Sequence, residues 1–218
     1  MSATAMSPAV AALDLATTAA ALGLSLSRQQ QYSLLDYVAL MQKWNRVYNL
    51  TAIREPERMI SHHLLDSLAI VPHIHARNVL DVGSGAGLPG IPLAVARPDT
   101  SVTMLDSNQK KTAFIQQAIT ELGLKNAQVV NERVESWRAS QPFDVIVSRA
   151  FADLSDFVRQ TQHLLALDGE FVAMKGQRPD MEIAKLPEAF KVKRILELAI
   201  PGLEAERHLV FLQALQPA

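Results

Sequence analysis

The segment Val79-Leu-Asp-Val-Gly-Ser-Gly-Ala-Gly-Leu-Pro-Gly90 constrains this chain more than any other. A mostly apolar run that reads as a buried strand passes directly into a turn carrying Gly83, Gly85, Gly87 and Gly90. Closely spaced glycines permit the positive φ angles of a sharp strand-to-helix turn and let a ligand lie against bare backbone. The free amide N–H groups of such a turn, and the positive end of the helix after it, are expected to meet that ligand. The loop reads as a cradle for a nucleotide-like cofactor.

The rest of the sequence agrees with a parallel α/β sheet behind a helical extension. Helices are expected from about Pro8 to Leu22, from Ser27 (with Gln30 completing a capping box) to about Tyr48, and from Pro56 towards Pro72. From there short apolar runs at Val79–Val82, Val102–Leu105, Val129–Val130, Phe143–Val147 and Phe171–Met174 alternate with helical stretches at Leu88–Ala96, Gln109–Leu122, Glu135–Arg138 and Leu154–Leu167. That alternation predicts βαβ units. Val192–Ile200 and His208–Leu215, separated around Pro201-Gly202, read as an antiparallel pair. The expected division is a helical extension over 1–76 and a cofactor-binding domain over 77–218.

Composition narrows the chemistry. The 218 residues include no cysteine, which removes disulfides, thiolate metal sites and a cysteine nucleophile. Net charge is −1, from 21 basic and 22 acidic residues, so any nucleic-acid contact must come from a local patch rather than a general basic excess. No apolar run approaches a membrane span, and the first basic residue is Arg28, unlike a signal peptide. A cytoplasmic protein without a membrane partner is expected. His62, His63 and Asp66 include an i, i+4 pair but lack a further ligand, so no metal is expected. Trp44, Arg46 and Tyr48 suit base stacking or RNA contact, although their helical spacing favours packing.

Two cofactor readings compete at the loop. Gly85-Ala-Gly87-Leu-Pro-Gly90 matches the dinucleotide pattern G-x-G-x-x-G, and Asp106 follows as a candidate ribose acid. A nicotinamide- or flavin-dependent oxidoreductase is one reading. Against it, Asp81 would repel a pyrophosphate, Pro89 removes an N–H from the first helical turn, and the last two strands are antiparallel. Asp81-x-Gly83-x-Gly85-x-Gly87 also resembles the first motif of the class I S-adenosylmethionine-dependent methyltransferases. Their Rossmann-like, mostly parallel seven-stranded sheet ends in an antiparallel strand. Their sulfonium cofactor suits acidic neighbours, here Asp81, Asp106 and Glu135, with Asp106 accepting from the ribose hydroxyls.

Further motifs narrow the resemblance. Lys43-Trp-Asn-Arg-Val-Tyr-Asn-Leu-Thr51, His62-His-Leu-Leu-Asp-Ser67, Gly87-Leu-Pro-Gly-Ile-Pro92, Ser148-Arg-Ala-Phe151, Lys175-Gly-Gln177 and Glu206-Arg-His-Leu209 are similar to the bacterial glucose-inhibited division protein B family. The resemblance implies a 16S rRNA guanine-N7 methyltransferase acting on the 30S subunit. Gly83, Leu88, Val134, Glu135 and Arg149 are then expected at the cofactor, with Asp81, Gly85 and Asp106 beside them. Arg149 is the candidate catalytic residue, at the donor–acceptor junction. Lys175, Arg178, Arg207 and His208 are the candidate contacts to rRNA, and the chain is expected to act as a monomer.

The chemistry is consistent with that implication. Ser148-Arg-Ala-Phe151 replaces the Asn/Asp-Pro-Pro-aromatic motif used on exocyclic amines, and cytosine-C5 transfer needs an absent thiol. N7 or ribose-hydroxyl transfer survives, and N7 needs no general base because it carries no proton. A non-catalytic ribosome-binding module with a vestigial loop stays open as a third class.

Overall fold

The capping box read at Ser27 forms. Gln30 N donates to Ser27 Oγ at 3.3 Å, and Ser27 N donates to Gln30 Oε1 at 2.8 Å. The computed structural model describes residues 8–215, so the outermost parts of both expected units, 1–7 and 216–218, lie outside the described residues. Helix α1 (Pro8–Ala21) precedes α2 (Arg28–Tyr48), which buries Leu34, Tyr37, Val38 and Met41. Asn49 ends α2 in the left-handed conformation at φ 49°.

The helix expected from Pro56 is not uniform. It consists of α3 (Pro56–Met59), a π-helical turn over Ile60–Leu65 and α4 (Asp66–Leu68), followed by a short 3-10 turn over Val71–His73. The sheet and its helices come next as β1 (Asn78–Val82), α5 (Gly90–Ala96), β2 (Ser101–Leu105), α6 (Gln109–Leu122), β3 (Ala127–Val130), β4 (Phe143–Ser148), α7 (Leu154–Thr161), β5 (Leu165–Lys175), α8 (Asp180–Ile183), β6 (Phe190–Glu197) and β7 (His208–Ala214).

Two expected helices need correction. Residues 135–138 form a turn on the Arg133 carbonyl, which accepts from Ser136 N and Trp137 N, and Trp137 packs against Phe143. The stretch from Leu154 leaves the α-helix at Thr161, because Leu165 already pairs with Phe143 across β5 and β4. The strand ladder overrides the helical period there.

The seven strands run in the order β3-β2-β1-β4-β5-β7-β6. β1 to β5 pair in parallel, and β7 lies antiparallel between β5 and β6. This is the class I methyltransferase arrangement expected from the resemblance. Alternate residues of the central strands enter two cores. On one face Val79, Val102, Met104, Val145 and Val147 pack with α5, α6 and the helical extension. On the other Leu80, Val82, Ile146 and Phe171 pack with α7 and Phe190. The extension is therefore sealed onto the sheet by a shared core. Among the described residues, no helix is long and apolar enough to cross a membrane.

Candidate active site

The glycine loop sits at the carboxyl end of β1. Gly83, Gly85 and Gly87 have φ of 71°, 59° and 82°, which only glycine adopts freely. A Cβ on Gly83 would lie 2.6 Å from the Ala150 Cβ, so the loop and the chain after β4 approach too closely for any side chain.

Six of the loop's amides are already engaged, contrary to the expectation from sequence. Gly83 N and Ser84 N donate to the Leu105 carbonyl, Gly85 N to Asp106 Oδ2, Gly87 N and Leu88 N to the Ser84 carbonyl, and Gly90 N to Asp81 Oδ2. The loop is folded upon itself and upon the two aspartates. A diphosphate would have to break these bonds, so the arrangement disfavours a dinucleotide and suits a cofactor without phosphate.

Asp81 lies beneath the loop and is fully buried. Its Oδ2 accepts from Gly90 N at 2.9 Å, while Oδ1 has no partner. Burial pushes this carboxyl up to about 7, with the Gly90 hydrogen bond opposing the rise. Asp106 reaches the cleft wall. Its Oδ2 accepts from Gly85 N at 2.9 Å and its Oδ1 from Asn108 N at 2.8 Å. Asn108, not Asp106, caps α6.

Three hollows join along this edge. The first, about 270 Å³, is lined by Gly83, Asp106, Lys111, Val134, Glu135 and Phe151, among others. The second, about 190 Å³, is lined by Leu50, Thr51, Gly83, Gly85, Leu88 and Arg149. The third, about 340 Å³, contains His62, His63, Asp66, Arg149, Lys175 and Arg207. Gly83 and Ala150 border both of the first two, and Arg149 borders the second and third. Thus Gly83, Gly85, Leu88, Asp106, Val134, Glu135 and Arg149 line adjoining hollows along one edge, while Asp81 lies buried behind the loop.

The four candidate RNA contacts do not share one environment. Lys175 Nζ donates to Glu182 Oε2 at 2.7 Å and to the carbonyls of Phe151 and Ala152. Arg207 Nε donates to Asp66 Oδ1 at 2.7 Å. His208 is 8% exposed and its Nδ1 has no partner. Arg178 is open to solvent beside Asp180.

Tyr37 has no signal in the sequence as part of the site, and His63 and Asp66 are marked there only by a motif that gives them no role. Tyr37 Oη donates to the Ala86 carbonyl inside the loop. Asp66 binds Arg149 as well as Arg207, and His63 Nε2 meets Thr51 Oγ1 at 2.7 Å. Burial, with Arg149 adding to it, pushes His63 down to about 4, leaving it neutral near pH 7. Among the described residues no cluster of three or more His, Cys, Asp or Glu is arranged to hold a metal ion. Trp44 packs between Tyr48 and Phe114, its ring 5.1 Å and 5.6 Å from theirs.

Comparison with known proteins bears on what this groove serves. The model of the family described as rRNA small subunit methyltransferase G matches residues 30–210. The chain belongs to that family. A curated relative from Laribacter hongkongensis, named ribosomal RNA small subunit methyltransferase G, is 59% identical over 191 residues, covering 88% of this chain and 92% of its own. One of the same name from Nitrosospira multiformis is 54% identical over 209 residues, covering 93% and 97%. Among solved structures, a SAM-dependent methyltransferase from Aquifex aeolicus aligns with a TM-score of 0.56 at 18% identity, covering 74% of this chain and 94% of its own. The O-methyltransferase NcsB1 aligns with a TM-score of 0.58 at 21% identity, covering 73% and 56%. These structural likenesses establish the fold, and membership of the family removes the oxidoreductase reading.

Proposed function

We propose that this protein transfers the methyl group of S-adenosylmethionine to N7 of a guanine in 16S rRNA, with the 30S subunit or its precursor as substrate. The match to the family over residues 30–210 carries this reading. The groove is compatible with it. Asp106 keeps lone pairs for two ribose hydroxyls even while holding Gly85 N and Asn108 N. Val134 supplies an apolar wall for an adenine, and Glu135 an acceptor at the rim. Gly83, Gly85 and Leu88 border the stretch between that end and Arg149.

When bound, the cofactor supplies an electrophilic methyl group on a sulfonium. That group would suit in-line attack by the guanine N7 lone pair, with a neutral thioether as the leaving group and the positive charge passing to the base. No proton leaves N7, and the residues need only align the base and exclude water. Arg149, between the second and third hollows, orients the acceptor side.

The test uses 30S subunits from a strain lacking the gene, labelled methyl donor, and mapping of the modified nucleotide. A single N7-methylguanine in 16S rRNA is expected. Arg149→Ala should lose most of the methylation rate, and by more than any accompanying loss of cofactor affinity accounts for. Label on another atom, or full activity of Arg149→Ala, would overturn the corresponding part of this reading.

A further inference from the structure

Asp66 is 3% exposed, yet each of its carboxylate oxygens holds a different arginine. Oδ1 accepts from Arg207 Nε at 2.7 Å and Oδ2 from Arg149 Nη1 at 3.2 Å. The two arginines arrive from distant parts of the chain, one just after β4 and the other just before β7. Arg149 Nη1 also donates to the His62 carbonyl, and Arg207 Nη1 to the Glu206 carbonyl. Among the described residues, Arg149 Nε and Nη2 and Arg207 Nη2 are left without a protein partner, and both side chains line the 340 Å³ hollow beyond the cofactor groove.

We propose that Asp66 is a positioning residue for methyl transfer: its buried carboxylate fixes Arg149 and Arg207 as a two-armed clamp around the hollow that receives the acceptor base. The inference rests on the methyl-transfer reading and goes beyond it by assigning the orienting group.

Three observations bear on it. An arginine side chain carries considerable rotamer freedom, and ordering it before the acceptor arrives removes that cost from the transition state. The clamp is not closed off as a purely structural ion pair would be, because the Arg149 and Arg207 side chains remain 27% and 23% exposed. The unpaired N–H groups suit an acceptor such as the guanine O6 or a neighbouring phosphate oxygen. Finally, Asp66 directly follows the π-helical turn over Ile60–Leu65, and its amide N–H closes on the His63 carbonyl. Such turns are rare and concentrate at functional sites, where the extra residue re-aims the side chains after it.

Asp66→Asn and Arg207→Met test the clamp on the full-length protein. The measurements are kcat and KM for labelled methyl transfer to unmodified 30S subunits, S-adenosylmethionine affinity by calorimetry, and thermal melting. For both variants kcat is expected to fall at least about tenfold with cofactor affinity within about threefold of wild type, and Asp66→Asn, which takes no donor out of the hollow, should also keep KM for subunits within about threefold. The double variant should be little worse than Asp66→Asn alone, because both substitutions open the same clamp. A kcat within about twofold of wild type overturns the proposal, as does a loss that follows cofactor affinity or melting. If Asp66→Asn does not accumulate as a folded protein, Arg207→Met decides by the same readouts. Wild-type labelling of an atom other than a guanine N7 overturns the guanine-N7 reading, while the clamp is still judged by kcat at that atom.

Discussion

Tyr37 Oη donates to the Ala86 carbonyl at 2.5 Å, joining the middle of α2 to the glycine loop. Tyr37 is fully buried, and burial pushes its phenol well above the ordinary value, so the hydroxyl stays a donor throughout the usual pH range. The helical extension thereby shapes the cofactor groove as well as covering the sheet. Tyr37→Phe keeps the ring but leaves the Ala86 carbonyl without this donor. The expected loss is about 1–3 kcal/mol of unfolding free energy, the scale for an unsatisfied buried group. Denaturant titration checks it, and an unchanged midpoint would show that the latch contributes nothing.

Asp81 gives the fold a specific pH dependence. Burial holds its folded carboxyl near 7, against 3.8 ordinarily, so the folded state keeps a proton that the unfolded chain releases between those limits. The stability from this group is complete below about pH 4 and is lost as pH rises through about 7. His63, held near 4, acts in the opposite sense and loses its contribution as pH falls below its ordinary 6.5. Comparing Asp81→Asn with wild type at each pH cancels His63. The variant should gain relative stability from pH 4 to pH 8, on the order of 4 kcal/mol in total. Parallel stability curves would contradict a buried, proton-holding Asp81.

Asp106 combines two tasks, which sharpens what its removal should do. It braces Gly85 and Asn108 through backbone amides and also faces the first hollow. Asp106→Ala should weaken S-adenosylmethionine binding by about 1–3 kcal/mol, the scale for hydroxyls left without partners. Asp106→Asn retains one carbonyl acceptor and should lose less. Calorimetric affinities equal to wild type for both variants would remove the ribose assignment.

What could be read from the sequence was local, and what could not was long-range. The Asp81–Gly90 motif, the Ser27 cap and most of the alternation of strands and helices are written in neighbouring residues and form, the helix expected between β3 and β4 being the exception. The engagement of Gly83 N, Ser84 N and Gly85 N has no signal in the loop itself, because their acceptors, the Leu105 carbonyl and the Asp106 carboxylate, lie on β2 or just beyond it. The same holds for Asp66, whose arginine partners stand 83 and 141 positions along the chain. Polar residues are usually exposed, and the reading of Lys175, Arg207 and His208 as contacts to rRNA supposes that they are. β7 is flanked on both sides, however, and His208 at its start pairs in register with both Lys175 and Glu197. Its burial follows from sheet order, which no short motif specifies.

That difference in environment separates the candidate RNA contacts by experiment. The Lys175 ammonium has three donors, and Glu182 with two backbone carbonyls engages them all. Moving Lys175 to a phosphate would break this set and leave the half-buried Glu182 carboxylate without its cation. Arg178 instead faces solvent, and its pair with Asp180 is exposed on both sides. Such pairs contribute little and exchange readily for a phosphate partner. Each phosphate contact contributes about one to the slope of log affinity against log salt. Arg178→Met should therefore reduce the slope for 30S binding by about one, whereas Lys175→Met should leave it unchanged. A reduced slope for Lys175→Met alone would mean that Lys175 abandons Glu182 for RNA, and would reverse the assignment of the two cations.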